Sequence, residues 1–362
     1  MAVSLWVDSS SAAFANQQGK PLPVKWPDVL KRDAAWYGSD DARRIADNVL
    51  LYQRDTGGWP KNIDMASVLN EDAKAALLKQ KNEIDSTIDN GATYTQLKYL
   101  ARVYGAQRDD RYKQAFINGV EYLLKAQYAN GGWPQFYPLH RGYYTHITYN
   151  DDAMVGVLEL LRDIAKQKAP YAFVDAALRV RASAAVERGI EVMLKTQVVV
   201  DGKLTVWCAQ HDEVTFKPAA ARAFEPVSLS GQESVGIVRF LMKIEHPSQR
   251  VIDAIESAIA WFEKTRINGF RWQETPTTNG LDRVLIKDAN GGPLWARFYE
   301  IGTNRPIFSG RDSVIRYDVS QIEAERRNGY RWYTDEPEKL LKLDYQVWRT
   351  KLKMPLQSKD AQ

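Results

Sequence analysis

Apolar residues recur along this chain mostly at helical spacing. Between residues 39 and 53 they are Ala42, Ile45, Ala46, Val49 and Leu50, one face of a helix. The same period predicts helices over residues 71–82, 90–104, 110–127, 151–167, 171–197, 230–244 and 248–265, with a short last one over 321–328. Strand signals are few. Val198-Val199-Val200, a turn at Asp201-Gly202 and Leu204-Thr205-Val206-Trp207 read as a hairpin. Residues 270–272 and 331–333 read as single short strands. The rest of 270–313 is broken by Gly and Pro and is expected to wall a cleft. Eight to eleven helices in antiparallel pairs suggest a mainly α protein, a ring of helical hairpins whose loops converge at one end.

One motif punctuates this pattern twice. Gly57-Gly58-Trp59-Pro60 and Gly131-Gly132-Trp133-Pro134 lie 74 positions apart. Each follows a helical run and precedes a polar segment. Asp89-Asn90-Gly91-Ala92 comes after the first, and Asn150-Asp151-Asp152-Ala153 after the second. Two matches in the same order predict a repeated hairpin, with acidic groups at equivalent helix starts. A single Asp or Asn there would serve as a cap. Three oxygen-bearing side chains in a row exceed what a cap needs, and adjacent carboxylates repel unless a cation offsets them. Hard oxygen donors favour calcium or magnesium, so the two segments are candidates for one shared cation site.

Charge narrows the partners. The 49 basic and 45 acidic residues give +4, but the basic ones form no run or stripe, which argues against nucleic acid. No span reaches transmembrane length. The 11 Trp and 18 Tyr often sit beside Gly, Asn or Arg. They fill a wide core, or offer flat faces to sugar rings. Cys208 stands alone, so an internal disulfide and a cysteine metal cluster are excluded. The four histidines make no zinc pair. His211 reads equally as a site residue or as a loop hydrogen bond. Arg222, Arg297, Arg305 and Arg311 fall outside helix faces, where arginine suits bidentate carboxylate recognition or an internal ion pair. Arginines, aromatic faces and a cation site together suit a polymer of acidic sugars.

At this level the chain resembles polysaccharide lyase family 10, the bacterial pectate lyases. The resemblance rests on Ile88-Asp89-Asn90-Gly91-Ala92-Thr93, Gly131-Gly132-Trp133-Pro134-Gln135-Phe136-Tyr137-Pro138 and Tyr149-Asn150-Asp151-Asp152-Ala153-Met154. It extends to Trp207-Cys208-Ala209-Gln210-His211, Glu225-Pro226-Val227-Ser228-Leu229-Ser230-Gly231, and Ala296-Arg297-Phe298-Tyr299 followed by Arg311-Asp312. It implies an incomplete α/α toroid with short β elements and long loops lining a groove. It further implies calcium-dependent, endo-type β-elimination on α-1,4-linked polygalacturonate, giving 4,5-unsaturated oligogalacturonates. Asp89 and Asp151 match the calcium ligands, and Arg222 matches the arginine that removes the C5 proton. Asn90, Asp152, His211, Arg297, Arg305 and Arg311 are the expected substrate-side residues. The division expected is an N-terminal extension 1–35, a catalytic domain 36–335 and a C-terminal extension 336–362. The protein is expected to be secreted, as a monomer or one module of a larger enzyme, although residues 1–20 carry no leader pattern. Two other functions fit the residues: a glycoside hydrolase using Asp89 and Asp151 as acid and base, and a non-catalytic module binding acidic polysaccharide.

Overall fold

The computed structural model describes residues 24–278 and 280–353. Residues 1–23 and 354–362 of the two expected extensions lie outside the described residues. Helix α1 (Asp40–Tyr52) buries Ala42, Ile45, Ala46 and Val49, the predicted stripe, and the Ser39 hydroxyl caps its start. The short α2 (Glu71–Lys79) is capped by Asn70. Three helical pairs follow: α3 (Tyr94–Gln107) with α4 (Asp110–Ala126), α5 (Ala153–Ala165) with α6 (Ala176–Thr196), and α7 (Glu233–Leu241) with α8 (Gln249–Lys264). Helices α3, α5 and α7 pack side by side as an inner row, with α4, α6 and α8 outside them. Helix α5 is buried almost all round, as the middle of an inner row must be.

The row is an arc and does not close on itself. Helix α1 covers one end against α3 and α4. After the small α9 (Ala324–Gly329), α10 (Glu336–Lys339) runs through a π-helical turn, Leu340–Asp344, into α11 (Tyr345–Lys353). This segment covers the other end, where Asp344 accepts from Arg239 of α7 at 2.7 Å and Arg349 and Tyr345 bond Glu256 of α8. The fold is therefore an incomplete α/α toroid. Among the described residues no helix is long and apolar enough to cross a membrane.

The repeated motif makes the corners. Gly57 and Gly131 have φ of +93° and +100°. A Cβ on Gly131 would lie 2.1 Å from the Arg188 carbonyl, so only glycine fits. Trp59 and Trp133 are fully buried, and each indole N–H donates to a carbonyl of the preceding helix, Val49 and Leu123, at 2.8 Å. Gln53 and Gln127 tie each corner to the next outer helix through Ala115 and Ala185. Two further corners escape the sequence motif. Trp207, again 74 positions on, donates to Met193, with Gln197 in the tying role, and Trp295 donates to Phe262. The carbonyls of Trp59, Trp133 and Trp207 then accept from Thr87, Thr148 and Ser230. Each corner thus fixes the strand-like entry to the next inner helix.

The hairpin Val199–Val200 with Lys203–Leu204 forms as predicted, with Asp201 and Gly202 both at positive φ. The region after residue 270 differs from expectation. Phe270–Thr277 and Gly280–Lys287 form a full antiparallel hairpin with eight residue pairs in register. Several of its cross-strand pairs set a polar residue against an apolar one and Glu274 pairs with Arg283 at 3.0 Å, so no clean apolar alternation announces it.

Candidate active site

Two turns stand side by side at the N-terminal ends of α3 and α5. Asp89–Gly91 and Asn150–Asp152 are tight 3-10 turns packed against each other, and the second also packs on the start of α7. Helices do not begin at residues 90 and 151, as expected; α3 starts at Tyr94 and α5 at Ala153. Asn90, Thr93, Asp151 and Asp152 all hold positive φ, which an α-helix of L-residues does not tolerate. None of these side chains caps a helix. Their oxygens are turned to other work, and the strained turns cost about 1 kcal/mol or more each.

Asp89 is buried. One carboxylate oxygen meets the Lys61 ammonium, and the other, Oδ1, is buried with no hydrogen-bond partner among the described residues. Asp151 is half-buried and receives Arg297 Nη2 at 3.1 Å and Asn150 Nδ2 at 2.7 Å. Asp152 turns toward α7, where a Cβ on Gly236 would lie 2.0 Å from its Oδ1. The Asp152 side chain is reachable by solvent yet ringed by protein. That crowding, then the carboxylates of Glu233, Glu336, Asp151 and Glu159, push it up to about 7. Asn90 is exposed and donates to Asn62 at 2.9 Å.

A second network faces these turns. Arg222 is half-exposed and grips Glu225 with Nε at 2.8 Å and Nη2 at 2.5 Å, stacked on Phe224. The Glu225 pair holds its guanidinium above the usual range. Glu225 also accepts from the Tyr330 hydroxyl at 2.8 Å. The Tyr330 ring lies 4.5 Å under the Arg297 guanidinium. Arg297 is 3% exposed and bonds Glu233, Asn150 and Asp151. Arg222 and Asp151 therefore belong to one continuous site. Arg311 lies beyond, paired with Glu325 at 3.0 Å, which also pairs with Arg326, itself over the Phe224 ring.

The residues at the turns suit a hard divalent cation. They are oxygen donors, several are anionic, and the orphaned Asp89 Oδ1 is a buried acceptor with nothing to accept. Ligand atoms already drawn within 4.8 Å of one another occur elsewhere, at His146, Asp212 and Glu213. There the His146–Glu213 contact of 3.1 Å tethers two loops, apart from the acidic turns.

Residues 53–341 match the family model described as pectic acid lyase. The chain belongs to the pectic acid lyase family. A family 10 polysaccharide lyase from Cellvibrio cellulosa is similar at 35% identity and a TM-score of 0.77, covering 89% of this chain and 94% of that one. A point mutant of that enzyme, solved in complex with trigalacturonic acid, gives the same identity and score over 95% of its length. No curated protein sequence matches. The protein is thus an enzyme of the polysaccharide lyase class, which sets aside the reading as a non-catalytic module.

In this pectic acid lyase the other candidates sit apart from the network. His211 is fully buried, with Nδ1–H donating to the Phe216 carbonyl at 2.9 Å and Nε2 accepting the Cys208 amide at 3.1 Å. Both ring nitrogens are spent on the loop, and burial lowers the ring to about 4. Arg305 stacks 3.6 Å over Tyr317 at the surface. Sequence reasoning missed Lys61, Glu225, Glu233, Gly236 and Tyr330. Lys61 stands two residues after Trp59, as Arg297 does after Trp295. Aligning all four corners would have found that pair of cations, each set against an acidic turn.

Proposed function

We propose that this lyase cleaves α-1,4-linked polygalacturonate by calcium-dependent, endo-type β-elimination, giving 4,5-unsaturated oligogalacturonates. The observation that carries the reading is the network that joins Arg222 through Glu225, Tyr330 and Arg297 to a row of carboxylates, one of whose buried oxygens has no partner among the described residues. The relative crystallised with trigalacturonic acid supports the same substrate class. Asp89 and Asp151 would hold the calcium, with Asn90 and Asp152 beside them. The ion would supply positive charge where negative charge develops at C5. Lys61 and Arg297 pair with the two ligand carboxylates and aim them. Arg311 binds a uronate carboxylate as a bidentate partner once released from Glu325.

Arg222 takes the C5 proton, and the C4–O bond then breaks. A guanidinium accepts a proton only after losing one, and the Glu225 pair opposes that loss. The role therefore requires the pair to loosen as substrate enters, and it favours alkaline conditions. The polymer lies outside cells, so the enzyme acts there, as a monomer. The deciding experiment follows the absorbance of the unsaturated product from polygalacturonate, with and without a calcium chelator. Product that forms only with calcium supports the reading. Chain cleavage without ultraviolet-absorbing product would instead mark a hydrolase and sink it.

A further inference from the structure

A cavity of about 390 Å³ opens beside Asn90 of the Asp89 turn, lined also by Lys25, Trp26, Lys61 and Asn62. Its size falls within the range of small-ligand sites. Lys61 links it to the acidic turns, because the same ammonium that lines the cavity bonds Asp89. The position of Trp26 is fixed: its amide donates to Asp64 Oδ1 at 2.9 Å, and its ring stands edge-on to Tyr99 at 5.6 Å. Asp64 is the one carboxylate of the lining, and that oxygen also accepts the Ala66 amide at 3.1 Å. The Lys25 side chain is exposed and makes no ion pair among the described residues.

We propose that this cavity is an additional subsite for one uronic acid residue of the polymer, adjoining the sugars held at the acidic turns. The assignment rests on the polygalacturonate reading. Its chemistry is that of an anionic sugar. Lys25 meets the carboxylate, the Trp26 indole meets a ring face, and the Asn62 and Asn90 amides meet hydroxyls. Lys61 bridges this residue and the next. A neutral sugar would leave the Lys25 ammonium without an ion-pair partner.

The test compares Lys25→Ala, Lys25→Glu and Trp26→Ala with the parent on trigalacturonate and hexagalacturonate. Lys61 is left unchanged because it contacts Asp89. Hexamer affinity is measured by calorimetry in an Arg222→Lys background, where the sugar is not consumed. The expected result is a loss of about three- to tenfold in hexamer affinity and in kcat/KM, larger for Lys25→Glu. Trimer values stay within about twofold, because a trimer is held at the turns alone. Hexamer binding unchanged in both Lys25 variants would overturn the subsite, and their side chains carry no structural bond that could confound folding. If the parent forms no unsaturated product, the lyase reading falls, while hexamer binding still decides the cavity.

Discussion

At the scale of single residues, the site works by keeping opposed charges close without letting them neutralise one another completely. Asp151 has two donors, and its loss leaves Arg297 still bonded to Glu233. Asp151→Ala is therefore expected to cut turnover by about a hundredfold or more. Its stability should stay within about 1 kcal/mol of the parent. Kinetics on polygalacturonate and urea unfolding separate the two effects, and normal turnover at ordinary calcium would remove Asp151 from the site. Glu225 sets the proton affinity of Arg222. Removing its charge in Glu225→Gln withdraws what favours the protonated guanidinium, so the neutral form appears at lower pH. The rise of the pH–rate profile on the alkaline side should move to lower pH; an unmoved profile would take Arg222 out of the proton transfer. His211 carries the opposite kind of pH dependence. Its folded value of about 4 lies below the unfolded 6.5, so the unfolded chain binds a proton first as pH falls. Stability contributed by the neutral ring is present above 6.5 and lost progressively toward 4, on the order of 3 kcal/mol. Imidazole NMR should show the Nδ1–H tautomer persisting down to about pH 4.5; protonation near 6.5 would contradict this burial.

At the scale of elements, the corner is the unit that places chemistry. A buried Trp pins each corner to the helix before it, and its carbonyl launches the chain into the next turn. Gly131→Ala would push a Cβ to 2.1 Å from the Arg188 carbonyl and force φ of +100° on an L-residue. A loss of about 2–4 kcal/mol is expected in denaturant unfolding. Gly142→Ala serves as a control at positive φ in open space and should cost less. The helices themselves were readable because their apolar stripes follow one period, as in α1. The turns that hold Asp89 and Asp151 were readable as acidic segments but not as non-helical backbone, since Asn and Asp tolerate positive φ without requiring it and serve equally as helix caps. Two corners were hidden for a physical reason. Trp207 keeps the indole bond but follows Thr205-Val206 in place of two glycines, so the motif dissolves while the geometry stays. Glu225, Tyr330 and Arg297 meet only through tertiary structure, 105 positions apart in one pair, and no spacing announces them.

At the scale of the whole molecule, an open arc has two ends, and each exposes an inner helix unless something covers it. The α10–α11 segment does this for α7 and α8. Leu340, Leu341 and Trp348 are nearly or fully buried there, and Arg239 and Glu256 anchor it. Helix α7 is also the wall behind Asp152, through Gly236, and the source of Glu233 beneath Arg297. The cover and the site thus share one helix. A chain ending at residue 335 should lose the burial of those three side chains, about 5 kcal/mol on area grounds. For a protein of this size that corresponds to a fall of roughly 7 °C in Tm. Activity should fall with it even well below the new Tm, because α7 then loses the packing that backs Asp152 and holds Glu233 beneath Arg297. Calorimetry and product absorbance on the shortened chain measure both. A shortened chain with parental Tm and parental turnover would mean that α7 is held by the arc alone, and that the C-terminal helix only trails it.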